Sequence, residues 1–167
     1  MGKPGITIEI PRFRTLEIRT MVSDYTGTLS CTGKLSPRVR EQLLMLNEWI
    51  DIHVISSDSF CTAVEELSQV PFVIFKDLSK TSDAHDSAKQ KYVEGLNAGN
   101  IFALGNGNND RLMLHTVKKA GGLAVAVDNG EGCATDAFLN ADLLISGAAN
   151  ALKLLLIKNS CKATLRS

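Results

Sequence analysis

Within the six residues Asp24-Tyr25-Thr26-Gly27-Thr28-Leu29 the chain places one carboxylate, two aliphatic hydroxyls and a glycine. An apolar run containing Ile18, Met21 and Val22 leads into the segment, and Gly27 breaks it. This pattern predicts a strand that ends in a turn, with Asp24 at the strand's last position. The hydroxyls of Thr26 and Thr28, and backbone N–H groups freed by the turn, can then point at one spot. Such a loop suits an anion held beside a nucleophilic carboxylate. Two further polar segments follow apolar runs in the same way. Ser56-Ser57-Asp58 follows residues 52–55, and Gly105-Asn106-Gly107-Asn108-Asn109-Asp110 follows residues 101–104.

These residues need a scaffold, and the periodicity of the chain supplies one. Ile6 to Ile10 alternates apolar and polar residues up to Pro11, and residues 16–22 resume an extended pattern, so the two could pair as a hairpin. Pro11-Arg12-Phe13-Arg14 is, however, not a tight-turn sequence. Ser36-Pro37 reads as an N-cap followed by proline at the first helical position, with Val39, Leu43, Leu46 and Ile50 on one face. A strand over 52–55 precedes a helix with Phe60, Val64 and Leu67 inward. A short strand is predicted over 72–75 and a loop over 76–85. Asp86 is placed to cap the next helix, whose inward positions include Val93 and Leu96.

The strand over 101–104 is followed by a helix carrying Leu112, Leu114 and Val117. That helix ends at Lys118-Lys119-Ala120-Gly121, with cations and then glycine at its C-terminus. A strand over 123–127, a turn at Asn129-Gly130, a short helix near 134–140, a strand over 143–145 and a closing helix over 148–157 complete the series. Alternation of strands and helices predicts an α/β domain with a doubly wound parallel sheet and helices on both faces. Ligands of such sheets bind beyond the carboxyl ends of the strands, at the switch point. With strand order 3-2-1-4-5-6, counted from the strand that carries Asp24, the loops at Asp24 and Asn106 face each other. Ser56 then stands on the neighbouring strand.

The bulk composition narrows the classes. The chain has 167 residues, 44% of them hydrophobic and 22% charged, which fits one folded domain with its own core. Eighteen basic and eighteen acidic side chains give zero formal charge, against the basic excess of a dedicated nucleic-acid binder. No apolar run approaches the roughly 20 residues of a membrane span. The cysteines at 31, 61, 133 and 161 form no Cys-x-x-Cys pair, and free thiols in a reducing cytoplasm are the expectation.

Four segments in order carry a family likeness. Asp-Tyr-Thr-Gly-Thr-Leu at 24–29 resembles the nucleophile motif of the haloacid dehalogenase-like (HAD) superfamily, and Gly-Asn-Gly-Asn-Asn-Asp at 105–110 resembles its acidic metal-binding motif. Ser56 falls where the family has a Ser or Thr, and Lys89 precedes the acidic loop at a suitable distance for the family's lysine. The chain is most similar to small proteins that look like the phosphorylation domain of P-type ATPases, which also have threonine two residues after the nucleophile. The likeness covers the chain from about residue 16 onward, as a single domain over 1–167 with an N-terminal extended segment at 1–15.

The resemblance implies a Mg²⁺-dependent phosphohydrolase working through an aspartyl phosphate on Asp24. Asp24, the backbone carbonyl of Thr26, Asn106, Asn109 and Asp110 are the implied metal group; Thr28, Ser56, Ser57 and Lys89 are the implied phosphate-binding group. Lys89 is expected in the first turn of its helix, where a cation opposes the macrodipole. The implied partner is a phosphorylated substrate, small molecule or macromolecule. Two departures from the family pattern stand out. Thr26 replaces the second Asp that protonates the leaving oxygen and then activates water, and Asn106 replaces the first acid of the metal loop. Slow turnover is therefore the expectation. The alternative is a phosphate-binding or phosphorylatable regulatory module with little turnover. The segments at 30–34 and 77–85 are too short for a cap domain, so the site is expected to be open unless a second copy of the chain covers it. A receiver domain would need an acidic pair after its first strand. A dinucleotide-binding loop would need a third glycine after residue 105 and a different strand before it.

Overall fold

The computed structural model describes residues 2–57 and 61–167, with Cys61 described by its backbone alone. Phe60 and Asp58 of the expected second helix and its approach lie outside the described residues. The chain opens with an antiparallel hairpin of β1 (Ile6–Ile10) and β2 (Arg14–Ile18), in register from Ile6 opposite Ile18 to Ile10 opposite Arg14. Its turn works because Pro11 is followed by Arg12 at φ 58°, and Phe13 N–H donates to the Ile10 carbonyl at 3.1 Å. Proline pre-sets the first central φ of such a turn, and a positive φ at the second closes it.

Residues 16–22 are not one strand. The chain changes sheets at Arg19, whose N–H donates to the Asn100 carbonyl and whose own carbonyl accepts from Asp51 N–H. Ile18 therefore belongs to the hairpin, and β3 (Thr20–Asp24) begins the main sheet. The rest follows as α1 (Pro37–Asn47), β4 (Asp51–Ser56), α2 (Cys61–Leu67), β5 (Ile74–Asp77), α3 (His85–Glu94), β6 (Ile101–Gly105), α4 (Arg111–Ala120), β7 (Leu123–Asp128), α5 (Thr135–Leu139), β8 (Leu143–Ser146), α6 (Ala148–Leu156) and α7 (Lys158–Leu165). Ser36 caps α1 by accepting from Val39 N–H at 3.2 Å, and Gly121 ends α4 at φ 98°.

The six main strands are parallel in the order β5-β4-β3-β6-β7-β8. Counted from the Asp24 strand, this is the expected 3-2-1-4-5-6. Side chains alternate faces along each strand. Met21, Phe102, Leu104, Val125 and Val127 pack with Val39, Leu43 and Leu46 of α1, Leu152 of α6 and the hairpin's Ile8 and Leu16. Val22, Ile55, Ala103, Ala124 and Ala126 face Val93 of α3 and Met113, Leu114 and Val117 of α4. Small side chains on that face admit α4 close to the sheet.

Several expectations need correction. Val64 is exposed, and Ala63 takes the inward place beside Leu67. The third strand lies two residues later than 72–75, because it is a short edge strand whose apolar residues only partly face the core. Asp86 does not cap α3; Ala84 stands at that position and Asp86 lies in the first turn. On α4 the buried residue is Met113, with Leu112 half-buried. The closing helix breaks at Ile157, and α7 continues from Lys158. No described segment between β3 and α1, or between β5 and α3, forms a cap domain.

Candidate active site

Asp24 is the last residue of β3, a strand buried along its whole length in the middle of the sheet. The chain then coils tightly. The Tyr25 carbonyl accepts from Thr28, Leu29 and Ser30 N–H at 3.3, 3.1 and 3.0 Å, and Gly27 allows the coil by taking φ 74°. Those three N–H groups thus fold back on the turn instead of pointing at a common anion, as the sequence had suggested for the amides of this turn. The Tyr25 side chain is buried, and its hydroxyl donates to the Gly33 carbonyl at 2.8 Å, which anchors the far side of the loop.

Thr28 lies over the strand end. Its hydroxyl is 3.2 Å from Asp24 Oδ2 and 3.1 Å from Asn106 Oδ1. Asn106 comes from the loop after β6, the neighbour of β3, so Thr28 and Asn106, 78 residues apart, meet as the strand order requires. In that loop a Cβ on Gly105 would sit 2.5 Å from Asp110 Cβ, so only glycine admits the acid at this place. Asp110 is fully buried. Its Oδ2 accepts from Asn106 N–H at 3.0 Å and Gly107 N–H at 2.9 Å.

Lys89 joins the two loops. Its ammonium stands 2.7 Å from Asp24 Oδ1 and 2.7 Å from Asp110 Oδ1, and the side chain has 0% exposure. It occupies the fifth position of α3, in the second helical turn, because the helix starts at His85. The expected conflict with the macrodipole is therefore weaker than at a first turn, and burial against two carboxylates is what distinguishes Lys89 from the other lysines.

Charge defines the chemistry of this centre. With Asp24 ionised, two buried carboxylates and one buried ammonium leave one uncompensated negative charge. Burial, helped by the Asp110 charge, pushes the Asp24 carboxyl from its ordinary 3.8 up to about 7, against the opposing pull of Lys89 and the Thr28 hydroxyl. Burial works against the charged form of Lys89, yet Asp110 and Asp24 outweigh it and hold the ammonium above its ordinary range.

The remaining expected residues are placed as follows. Ser56 is buried at the end of β4, one residue beyond Ile55, the register partner of Asp24. Ser57 is also buried, and its hydroxyl has no hydrogen-bond partner among the described residues. Thr26 is half-buried in the coil. Asn109 folds over Gly107 and is not one of the groups that hold Asp110. No three His, Cys, Asp or Glu side chains gather as a metal group among the described residues. The turn after β7 was read from the sequence, but Glu131 within it was missed as a neighbour of the site. Its Oε1 accepts from Thr32 N–H at 2.6 Å, at the edge of this site. The signal was available: the segment follows the carboxyl end of a strand next but one to β3.

Comparison with known proteins places this geometry in context. No family profile matches the chain. A HAD superfamily (subfamily III A) protein from Legionella pneumophila superposes over 87% of this chain and 86% of its own, with TM-score 0.66 at 17% identity. The 3-deoxy-D-manno-octulosonate 8-phosphate phosphatase of Moraxella catarrhalis, solved with magnesium, phosphate and KDO, covers 88% of this chain and 90% of its own, with TM-score 0.63 at 12% identity. The fold is accordingly that of the haloacid dehalogenase-like superfamily, in a form with no cap domain among the described residues. By sequence, the chain belongs to the family of the uncharacterized protein MJ0073 of Methanocaldococcus jannaschii, with which it shares 40% identity over 83 residues, 47% of this chain and 85% of that protein.

Proposed function

We propose that this protein is a slow phosphohydrolase in which Asp24 is the nucleophile. The observation that carries the reading is the buried Lys89 held at 2.7 Å from both Asp24 and Asp110. A lysine desolvated in this way fixes the orientation of the Asp24 carboxylate and supplies positive charge where a phosphoryl group would arrive. Asp24 would attack phosphorus through one of its carboxylate oxygens. The P–O bond to the leaving group breaks as the Asp24 O–P bond forms, and water then cleaves the acyl phosphate to restore the carboxylate. The buried hydroxyls of Ser56 and Ser57 suit phosphate oxygens.

The donor set fits a hard divalent cation such as Mg²⁺. Asp24 Oδ2 and Asn106 Oδ1 converge on one hydroxyl, and with Asp24 ionised the centre carries an uncompensated negative charge. Asp24, the Thr26 carbonyl, Asn106 and, less directly, Asp110 would hold it, with Asn109 nearby; both oxygens of Asp110 are already engaged by Lys89 and two backbone amides. When bound, such an ion supplies charge neutralisation at the phosphoryl oxygens. In a cytoplasmic setting, which the reading includes, Mg²⁺ is the natural occupant. The open site would be covered by a second copy of the chain.

One observation favours a second reading, a phosphorylatable regulatory module. Thr26 occupies the position of the acid/base and cannot protonate a leaving group at neutral pH. The test is turnover of an activated aryl phosphate, with and without Mg²⁺, by the parent, Asp24→Asn and Thr26→Asp. The phosphohydrolase reading expects slow Mg²⁺-dependent turnover, a loss of roughly 10³-fold or more in Asp24→Asn, and a gain in Thr26→Asp toward the ~10²-fold or more that acid–base assistance contributes. A folded, metal-binding Thr26→Asp with no gain moves the regulatory reading ahead.

A further inference from the structure

Asn106 is the residue where this chain departs from the acidic pattern of its metal loop, and its surroundings explain why an amide stands there. Its Nδ2 donates to the Gly132 carbonyl at 3.3 Å, while its Oδ1 shares the single Thr28 hydroxyl proton with Asp24 Oδ2. A carbonyl can only accept, so the group of residue 106 that faces Gly132 must be a donor. The Asn106 backbone carbonyl also accepts from Ala134 N–H at 2.7 Å. The loop after β7 is thus fastened to Asn106 at both backbone and side chain.

That loop holds the backbone on either side of Glu131, whose side chain is exposed. Asp128 Oδ1 accepts from Gly130 N–H at 3.1 Å and from Gly132 N–H at 3.0 Å, and the two glycines take φ 93° and 89° on either side of Glu131. Its Oε1 takes the Thr32 N–H at 2.6 Å from the coil that follows Asp24. Its Oε2 lies 2.9 Å from the place a Cβ on Gly27 would occupy, and Asn106 Nδ2 is closer still to that place. The space over Gly27 is therefore shared by one carboxylate and one amide. Thr32 itself has φ 52°, a conformation that a β-branched residue adopts only when held.

We propose that Glu131 is a positioning residue: it latches the 25–34 coil to the loop after β7, so that Thr28 stays over Asp24, and it requires a neutral residue at 106. The proposal rests on the phosphohydrolase reading for its effect on rate, but the latch itself does not. Aspartate at 106 would turn an acceptor oxygen toward the Gly132 carbonyl and set a second negative charge beside Glu131. The gain in cation attraction that an acid at 106 suggests from sequence is opposed by loss of the latch.

The test pairs amide hydrogen exchange at Thr32 with kcat and KM for an aryl phosphate at saturating Mg²⁺. Glu131→Ala is expected to speed Thr32 exchange by about tenfold, the loss of one charge-assisted hydrogen bond. It should also lower kcat by roughly tenfold or more while KM changes less than about threefold, because misplacement of a positioned group acts on the chemical step. Glu131→Gln keeps an acceptor for Thr32 N–H and should restore both. Asn106→Asp should speed Thr32 exchange, and Asn106→Asp with Glu131→Gln should slow it again. Thr32 exchange unchanged in Glu131→Ala overturns the latch. Faster exchange with unchanged kcat overturns the positioning role, and so does a kcat that Gln fails to restore, since the carboxylate would then act by its charge or proton. If the exchange pattern holds while the parent shows no turnover, the phosphohydrolase reading fails and the latch stands.

Discussion

At the scale of the residue, Lys89 carries the largest consequence. With no exposed surface and a carboxylate 2.7 Å away on either side, it cannot be removed without leaving like charges buried together. Lys89→Met is expected to cost about 3–5 kcal/mol. For a chain of 167 residues that corresponds to a drop in melting temperature of roughly 6–20 °C. Differential scanning calorimetry at two pH values checks the cause. The loss should be smaller at pH 5 than at pH 8, because protonating Asp24 removes one of the two charges. Asp24 also sets a pH dependence in the parent. Its carboxyl is raised from 3.8 to about 7 in the folded state, chiefly by burial, so the folded protein holds a proton that the unfolded chain has released. The stability contributed by that proton is complete below pH 3.8 and is lost as the pH rises through about 7. Urea denaturation without divalent cations should therefore show stability falling between pH 5 and 8, and Asp24→Asn should flatten that slope. A parent whose stability stays level across this interval would show that Asp24 ionises freely.

At the scale of the element, the hairpin is separable from the chemistry. β1 and β2 bury Ile6, Ile8, Ile10, Leu16 and Ile18 in the core shared with α1, α6 and α7. The chain leaves the hairpin through Arg19 at the amino end of β3, whereas Asp24 lies at the carboxyl end. Ile8 is 1% exposed, and Ile8→Ala should cost about 2–5 kcal/mol. Chemical denaturation should record that loss, while kcat at a temperature where the variant is folded stays within about twofold, since the hairpin joins β3 at the end opposite Asp24. A parallel fall in kcat would mean that the core behind β3 controls the position of Asp24.

At the scale of the molecule, no cap domain is found among the described residues at the carboxyl end of the sheet. Met45 and Trp49 at the end of α1 and Ile157 at the break between α6 and α7 are each nearly half exposed. Leu144 on edge strand β8 and Phe138 and Leu139 on α5 are exposed as well. The proposed covering of the site by a second copy predicts a dimer or larger assembly in light scattering at micromolar concentration. A monomer would leave the site open and shift the expected substrates toward macromolecules. No helix among the described residues is long and apolar enough to cross a membrane.

Local sequence determined the elements and the order of the motifs. Ser36-Pro37 starts a helix and Gly121 ends one because capping is settled within a few residues. Alternating apolar strands and helices imply a parallel sheet because right-handed crossovers admit few other arrangements. Asp24 and the loop at Asn106 follow from that order, since neighbouring strands bring their carboxyl ends together. The hairpin's turn was not legible because it depends on Arg12 holding a positive φ, which the packed strands impose and the residue type does not favour. The division at Arg19 depends on hydrogen bonds to Asn100 and Asp51, far away in sequence. Spacing from the acidic loop marked Lys89 through the family likeness, but only tertiary structure shows it buried between two carboxylates, because that is a property of position. The same holds for Glu131, which joins the site by reaching 99 residues back to the Thr32 amide. Patterns of residue type report local preference, whereas which charge meets which is decided where distant loops close on one another.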